Sequence, residues 1–285
     1  ASSSTICNGS SATLTANGGS SYVWSGGLGM GNPKIVSPTV TTTYRVTGTD
    51  ANNCSNTASS IVTVEPMPNV QVTASKNPIC YGEATTLTAT GATNYTWDNG
   101  LGTGGIKSVS PSTTTTYKVT GTITAACSNT ASITVVVNNQ PAISISATKD
   151  NICRGASSIL TASGGISYTW ADTSGNITSR VVTPVSTTTY RITGSDGAGC
   201  TNTALKVITV YNLPVITISA TQSTICAGAT TVLTASGGST YSWADGYGTN
   251  PSITVNPFTS STYYVTGTDV NGCKNSAFKN ISVVS

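Results

Sequence analysis

The feature that most constrains this chain is its period. Eight cysteines stand at positions 7, 54, 80, 127, 153, 200, 226 and 273, so gaps of 47 and 26 residues alternate and the sequence returns to itself every 73 residues. Trp24, Trp97, Trp170 and Trp243 keep that step, as do Tyr22, Tyr95, Tyr168 and Tyr241. So do Tyr44, Tyr117, Tyr190 and Tyr263, and the series from Gly9 to Gly228 and from Pro38 to Pro257. The copies show no net insertion or deletion between landmarks, which points to recent duplication or to pressure on the loops themselves. Solenoid units of about 20–50 residues cannot fold alone, whereas a 73-residue unit can own a small core. Four units in series are therefore expected: 1–67, 68–140, 141–213 and 214–285.

The third unit shows what each is made of. Ile143, Ile145 and Ala147 alternate with Ser144 and Ser146, which reads as a first strand, A. Cys153-Arg154-Gly155 reads as a turn. Leu160 and Ala162 share one face of strand B, and Tyr168 and Trp170 lie on strand C. Arg180–Pro184 forms strand E. Thr189–Gly194 forms strand F, with Tyr190 and Ile192 inward and Arg191 outward. A turn over Gly197–Cys200 leads to strand G, ending at Ile208-Thr209-Val210. Period-two alternation with turns every 8–12 residues is the pattern of a β-sandwich, and no stretch carries helical periodicity.

Composition narrows the chemistry. Charged residues make up 7% of the chain and net charge is +3 with no dense basic run, so neither nucleic acid nor an anionic membrane is expected as a partner. No apolar run reaches the ~20 residues of a membrane span. The absence of an initiator Met and of a leader reads as a processed product or a fragment of something longer. With no His, neither a Ser-His-Asp nor a Cys-His arrangement can be built. Glu occurs only at 65 and 83 and the Asp are scattered, so no enzyme and no cofactor are expected. The cysteines lack paired C-x2-C spacing, which argues against zinc. Their even number in a Ser/Thr/Gly-rich chain points to disulfides and an oxidising compartment.

The set C-x-G, L-T-A, G-G-x-x-Y-x-W and T-T-T-Y-x-V-T-G-x-D followed by Cys resembles the Ig-like and PKD-like tandem repeats of giant surface proteins of gliding Bacteroidota. The resemblance covers the whole chain four times. It implies an all-β fold of four tandem immunoglobulin-like (PKD-like) β-sandwich domains forming an extended rod, in an exported, cell-surface or extracellular protein that is commonly adhesive. In such sandwiches a strand-C Trp fills the core and a Tyr opening strand F bonds back to the E–F corner, roles that Trp170 and Tyr190 match. The matching core set is Trp24, Trp97, Trp170 and Trp243 with Tyr44, Tyr117, Tyr190 and Tyr263. The acidic loop usual after strand C of PKD domains is absent, with only Asp98 and Asp245 hinting at it. Ala1 occupies the place of Ala74, so the first copy starts midway along strand A, and a neighbour could supply the missing half-strand.

The simplest pairing joins the two cysteines of one repeat, but an Ig-type strand order puts them at opposite ends of a sandwich. About seven strand residues separate them by more than ~20 Å, and a disulfide needs Cα atoms within roughly 7 Å. Ends of neighbouring repeats instead face each other, which gives Cys7–Cys127, Cys80–Cys200 and Cys153–Cys273, with Cys54 and Cys226 pairing to repeats outside the chain. Within-repeat pairs, interchain bonds and free thiols stay open as alternatives.

Binding signals are sparse. Asp269-Val270-Asn271-Gly272 resembles a calcium-loop ligand set, yet Asp50, Asp196 and Asp269 are matched by Ile123, and one Asp per loop is thin for an ion wanting six or more oxygens. No metal site is expected, and Asn and Gly there read as turn formers, as do Asn56, Asn129, Asn202 and Asn275. Tyr81, Tyr211, Tyr247 and Tyr264 lie off the repeat pattern and are candidates for a glycan platform. Outward strand positions carry Thr and Ser with few of the charges that usually protect sheet edges, so lateral homo-oligomeric bundling into a filament is open beside a solvated stalk. The expected function is a structural stalk of a large adhesin, whose partners are adjacent repeats of the same parent chain. The alternatives are a glycan-binding module and an accessory region of a secreted polysaccharide hydrolase.

Overall fold

The computed structural model describes residues 4–123, 127–173 and 175–284. Among them every regular element is a β-strand, apart from one turn of 3-10 helix at Ala244–Gly246. The chain divides into two compact units, Ala1–Asn139 and Gln140–Ser285. Each unit holds two hydrophobic cores, one for each 73-residue repeat.

In the second unit, the third repeat forms two facing sheets. One has strand B (Ser158–Ser163) between A (Ser144–Ala147) and E (Ser179–Val182), both antiparallel to it. The other runs A′ (Asn151–Cys153), G (Thr201–Tyr211), F (Thr188–Ser195), C (Ser167–Trp170). The alternating sequence makes each strand two-faced. Along F, Tyr190 and Ile192 are buried and Arg191 is exposed, and along B, Leu160 and Ala162 are buried while Thr161 is not. Such alternation buries one face and solvates the other. The fourth repeat follows the same plan, with A (Thr217–Ala220), A′ (Thr224–Cys226), B (Thr231–Ser236), C (Thr240–Trp243), E (Ser252–Val255), F (Ser261–Thr268) and G (Lys274–Val284).

The turn expected at Cys153-Arg154-Gly155 is present, closed by the Ala156 N–H on the Cys153 carbonyl (2.9 Å), and a short strand that the sequence did not signal leads into it. Strand A crosses from one sheet to the other, and Cys153 ends the short strand A′, which pairs in parallel with strand G, Cys153 opposite Tyr211. The crossing is held from the core side. The buried hydroxyl of Ser158 donates to the Lys149 carbonyl (2.7 Å) and accepts the Lys149 N–H (3.1 Å). Thr231 does the same for Gln222 and Thr85 for Lys76. A buried hydroxyl is tolerated when both its capacities are met. No hydrophobic pattern signals this crossing, because Ile152 continues the apolar run into the other sheet.

In the first unit, the second repeat has E (Ile106–Val109), B (Thr85–Thr90) and A (Gln71–Ala74) in one sheet. The other has C′ (Gly102–Thr103), C (Asn94–Trp97), F (Thr115–Thr122) and G (Ser128–Val135), with A′ (Ile79–Cys80) beside the last residues of the chain's exit, Val137–Asn138. The first repeat keeps the larger sheet, A′ (Ser4–Cys7), G (Ser55–Glu65), F (Thr42–Thr49), C (Ser21–Trp24) and C′ (Gly29–Met30). Among the described residues its smaller sheet is B (Ala12–Leu14) with E (Lys34–Val36).

Each core centres on a tryptophan. Trp24, Trp97, Trp170 and Trp243 are all buried. Each indole N–H donates to the carbonyl seven residues on, at Gly31, Gly104, Ile177 and Asn250, over 2.8–3.0 Å. A buried indole needs such a partner. Tyr117, Tyr190 and Tyr263 are buried, and Tyr44 is half-buried against the first core. The hydroxyls tied back to the backbone, however, belong to strand C and not to strand F. Tyr22, Tyr95, Tyr168 and Tyr241 each accept the N–H and donate to the carbonyl of the residue three before them. Tyr190 instead lies beneath the Arg180 guanidinium, which also covers Trp170 and pairs with Asp172.

Strand A is seated on glycine. A Cβ on Gly194 would overlap Cδ1 of Ile143, and one on Gly121 would come within 2.6 Å of Val70 Cγ2. Gly48, the first repeat's equivalent, would meet the Tyr22 ring at 3.2 Å and the Ser21 carbonyl oxygen at 4.0 Å, without overlap. Gly194→Ala is therefore expected to cost about 1–3 kcal/mol by overpacking and to speed amide exchange in Ser144–Ala147. Gly48→Ala should leave exchange in its own B strand unchanged. Hydrogen exchange read by mass spectrometry on those peptides checks both.

Candidate functional site: disulfide-stapled junctions

The repeated cysteines meet where one repeat passes to the next. Cys7 ends strand A′ of the first repeat opposite Glu65, the last residue of its strand G. A parallel partner of G must finish where G finishes, so the first cysteine of a repeat lies beside the chain's exit. Cys127 lies immediately before strand G of the second repeat, at the end that receives the chain. The two are joined, with Cα atoms 5.5 Å apart and 120 residues between them in sequence. Cys153 and Cys273 are joined in the same way in the second unit, again at 5.5 Å and 120 residues. Cys80 and Cys200 are each disulfide-bonded. Cys54 and Cys226 carry free, exposed thiols.

Within one repeat the two cysteines stand far apart. Cys80 is opposite Asn138 and Cys127 precedes Ser128, so the length of strand G separates them by roughly 30 Å at ~3.3 Å per residue. No disulfide spans that.

The aspartates considered as calcium ligands do a different job. Asp269 Oδ1 accepts the N–H of Asn271 (2.9 Å) and of Cys273 (2.8 Å). Asp196 does the same for Ala198 and Cys200, and Asp50 for Asn52 and Cys54. Each closes the F–G turn and fixes the backbone of the second cysteine, a local side-chain cap of the kind Asp provides. An oxygen already accepting two N–H groups is a poor start for a six-oxygen cation site. The second repeat has Ile123 there, and residues 124–126 lie outside those described. At the first cysteine of the second repeat, the Glu83 carboxylate accepts the Cys80 N–H (2.9 Å) and the Lys76 ammonium (2.6 Å). These bonds hold its carboxyl below the usual range.

Asn129, Asn202 and Asn275 are not turn formers. They sit in strand G, where each carboxamide oxygen accepts the N–H of the following residue. Each carboxamide nitrogen donates to the carbonyl of the proline that opens strand A of the same repeat: Pro68, Pro141 and Pro214, at 2.9–3.0 Å. The recurrence of Asn 61 residues after Pro was the available signal, and it is legible only once strand A is known to lie beside strand G. Of the off-pattern tyrosines, Tyr81, Tyr247 and Tyr264 are exposed. Tyr264 packs against Phe278 across strands F and G (5.9 Å), and Tyr247 and core Tyr263 meet in a T-shaped arrangement (5.6 Å). Tyr211 lines a recess of about 160 Å³ beside Cys153 with Lys149, Ala156 and Asn271.

The chain is a tandem array of immunoglobulin-like sandwiches. No family model matches it, and no curated protein sequence does. Among solved structures it is similar to the N-terminal eight Ig domains of Down syndrome cell adhesion molecule (16% identity, 99% of this chain, TM-score 0.41), of which it spans only 48%. It is similar to a Ca2+-stabilized adhesin that helps an Antarctic bacterium reach out and bind ice (17%, 98% of this chain and 95% of that one, TM-score 0.35). It is also similar to titin domains I67–I69 (14%, 74% and 96%, TM-score 0.35).

Proposed function

We propose that this chain is a load-bearing stalk segment of a large secreted or cell-surface adhesin, of the type borne by gliding Bacteroidota, acting structurally and not as an enzyme. The observation that carries the reading is the pattern of staples. A pull applied at Cys7 and Cys273 enters the Cys7–Cys127 bond, follows the backbone from Cys127 to Cys153, and leaves through Cys153–Cys273. The four tryptophans and strands B, C, E and F of every repeat lie outside that covalent path, while strand G of the second repeat and strands A and A′ of the third carry it. Shielding the tryptophan-bearing strands from tension serves a stalk. Disulfides also favour an oxidising compartment, and Cys54 and Cys226 would take the same kind of bond from flanking repeats.

The surface supports the reading. Hydroxyl pairs cross the outer faces at Thr116–Thr134, Ser144–Ser163, Thr217–Ser236 and Thr266–Ser276. Such a face can lie against a second stalk with little charge to desolvate, which suits lateral bundling. The exposed Tyr264–Phe278 pair is what favours the second reading, a glycan-binding module. A glycan array separates them. A stalk should show no retention above that of the reduced and alkylated chain, with rods or bundles in electron micrographs of the same sample. Dose-dependent retention on a defined glycan, lost on Tyr264→Ala, would transfer the function to the module reading.

A further inference from the structure

We infer that Cys153 is a site of reversible thiol exchange that takes a small thiol bearing carboxylates, so that the Cys153–Cys273 staple is built to open. Cys7, Cys80 and Cys153 each end a strand A′ and each is disulfide-bonded. Cys7 and Cys80 are buried, at 8% and 9% exposed, whereas Cys153 is half-buried. Cys153 borders the recess of about 160 Å³ that Lys149, Asn151, Ala156, Tyr211 and Asn271 line. Its partner Cys273 is fully buried, with its N–H capped by the Asp269 carboxylate. A reagent in solution therefore meets the bond from the Cys153 side.

The second repeat shows what closes such a site. Lys76 and Glu83 hold the places that Lys149 and Ala156 hold one period later. There the ammonium is paired with the carboxylate at 2.6 Å, and the carboxylate also accepts the Cys80 N–H. A negative charge beside the sulfur repels an incoming thiolate. In the third repeat a methyl group replaces that acid, and Lys149 is in no ion pair among the described residues. The acid next to it in sequence, Asp150, is engaged by Lys206 at 2.8 Å. Exposed Arg154 adds a second cation beside Cys153. In the first repeat Ser3 and Ser10 take the two places in sequence, and Glu65 lies opposite Cys7. Cations next to a sulfur favour its thiolate chemistry, and exchange depends on which sulfur is attacked and on access to it. The step needs no oxidant. A thiolate attacks Cys153 Sγ, the new S–S bond forms as the Cys153–Cys273 bond breaks, and the electron pair leaves on Cys273 Sγ, which takes a proton from water. The Cys273 thiolate reverses the step by attacking Cys153 Sγ and expelling the small thiol. The chemistry stands apart from the stalk reading; its consequence, the return of the loop closed by Cys153–Cys273 to the load path, rests on it.

The probe is glutathione, added to the oxidised full chain after the free thiols of Cys54 and Cys226 have been alkylated, with acid quenching and peptide mapping. The adduct should form on Cys153 at least about tenfold faster than on Cys7 or Cys80. Ala156→Glu, which rebuilds the Lys–Glu pair of the second repeat, and Lys149→Glu should each slow the Cys153 step by at least about threefold and leave the Cys7 rate unchanged. Cysteamine, a cationic thiol, should instead react faster with the Lys149→Glu chain, and 1 M salt should shrink both differences. Tryptophan fluorescence reports that each variant stays folded. Equal rates at the three cysteines, an adduct on Cys273, or a Lys149→Glu rate unchanged for both thiols would overturn the inference. Force extension in glutathione tests the consequence separately: an adduct on Cys153 without added length would sink the load-path reading and uphold the exchange site.

Discussion

Stretched as the oxidised protein, the chain is expected to show a contour length of about 90 Å between Cys7 and Cys273, against about 900 Å after reduction, at 3.3–3.6 Å per extended residue. The tenfold difference follows from connectivity. With Cys7–Cys127 and Cys153–Cys273 closed, only the backbone from Cys127 to Cys153 remains to extend, and each bond removes 120 residues from the path. Replacing Cys7 and Cys127 together by Ser should raise the oxidised value to roughly 400–500 Å, because a whole loop re-enters the path. In solution each bond also restricts the unfolded chain by roughly 5 kcal/mol in the entropy model for a loop of this size. Single-molecule force extension with and without reductant reads the result. Full-length extension of the oxidised chain would show that the staples do not carry the load.

The second large effect is local. Trp170→Ala is expected to cost about 3–5 kcal/mol, the usual range for an aromatic removed from a core. Trp170 is 1% exposed, donates to the Ile177 carbonyl and supports the Arg180 guanidinium from below. Its neighbours Leu160, Ile192 and Ile208 are themselves fully buried, so nothing nearby can swing in to fill the gap. Against the few kcal/mol that a core of this size supplies, the loss should open the third sandwich. Amide protection should fall across Asn151–Tyr211 and stay unchanged in the first unit. Retained protection in strands B, F and G would mean that the sandwich draws its stability from outside this core.

Much of this architecture is legible along the chain. Trp170, Tyr190, Ile192 and Leu160 announce their burial by alternation, because a strand shows its two faces on alternate residues. Other features are not. Strand A′ goes unseen ahead of the turn that does follow Cys153, since a strand of three residues with a parallel partner about sixty residues away leaves no periodic trace. Asn202 looks like a turn residue, since its bond to Pro141 depends on two strands meeting side by side. Asp196 and Asp269 look like candidate ligands, while their oxygens are consumed in turns that position Cys200 and Cys273.

The sequence alone determined the 73-residue period, the all-β character and the tryptophan at each centre, because these rest on spacing and on which side chains avoid water. Tertiary structure decided which cysteines meet and what the conserved-looking Asp, Asn and Gly positions hold. Those outcomes depend on the crossing of strand A between sheets, which carries the first cysteine to the exit of its own repeat. That crossing is set by a hydroxyl in the core and a parallel pairing distant in sequence, neither of which a local pattern encodes.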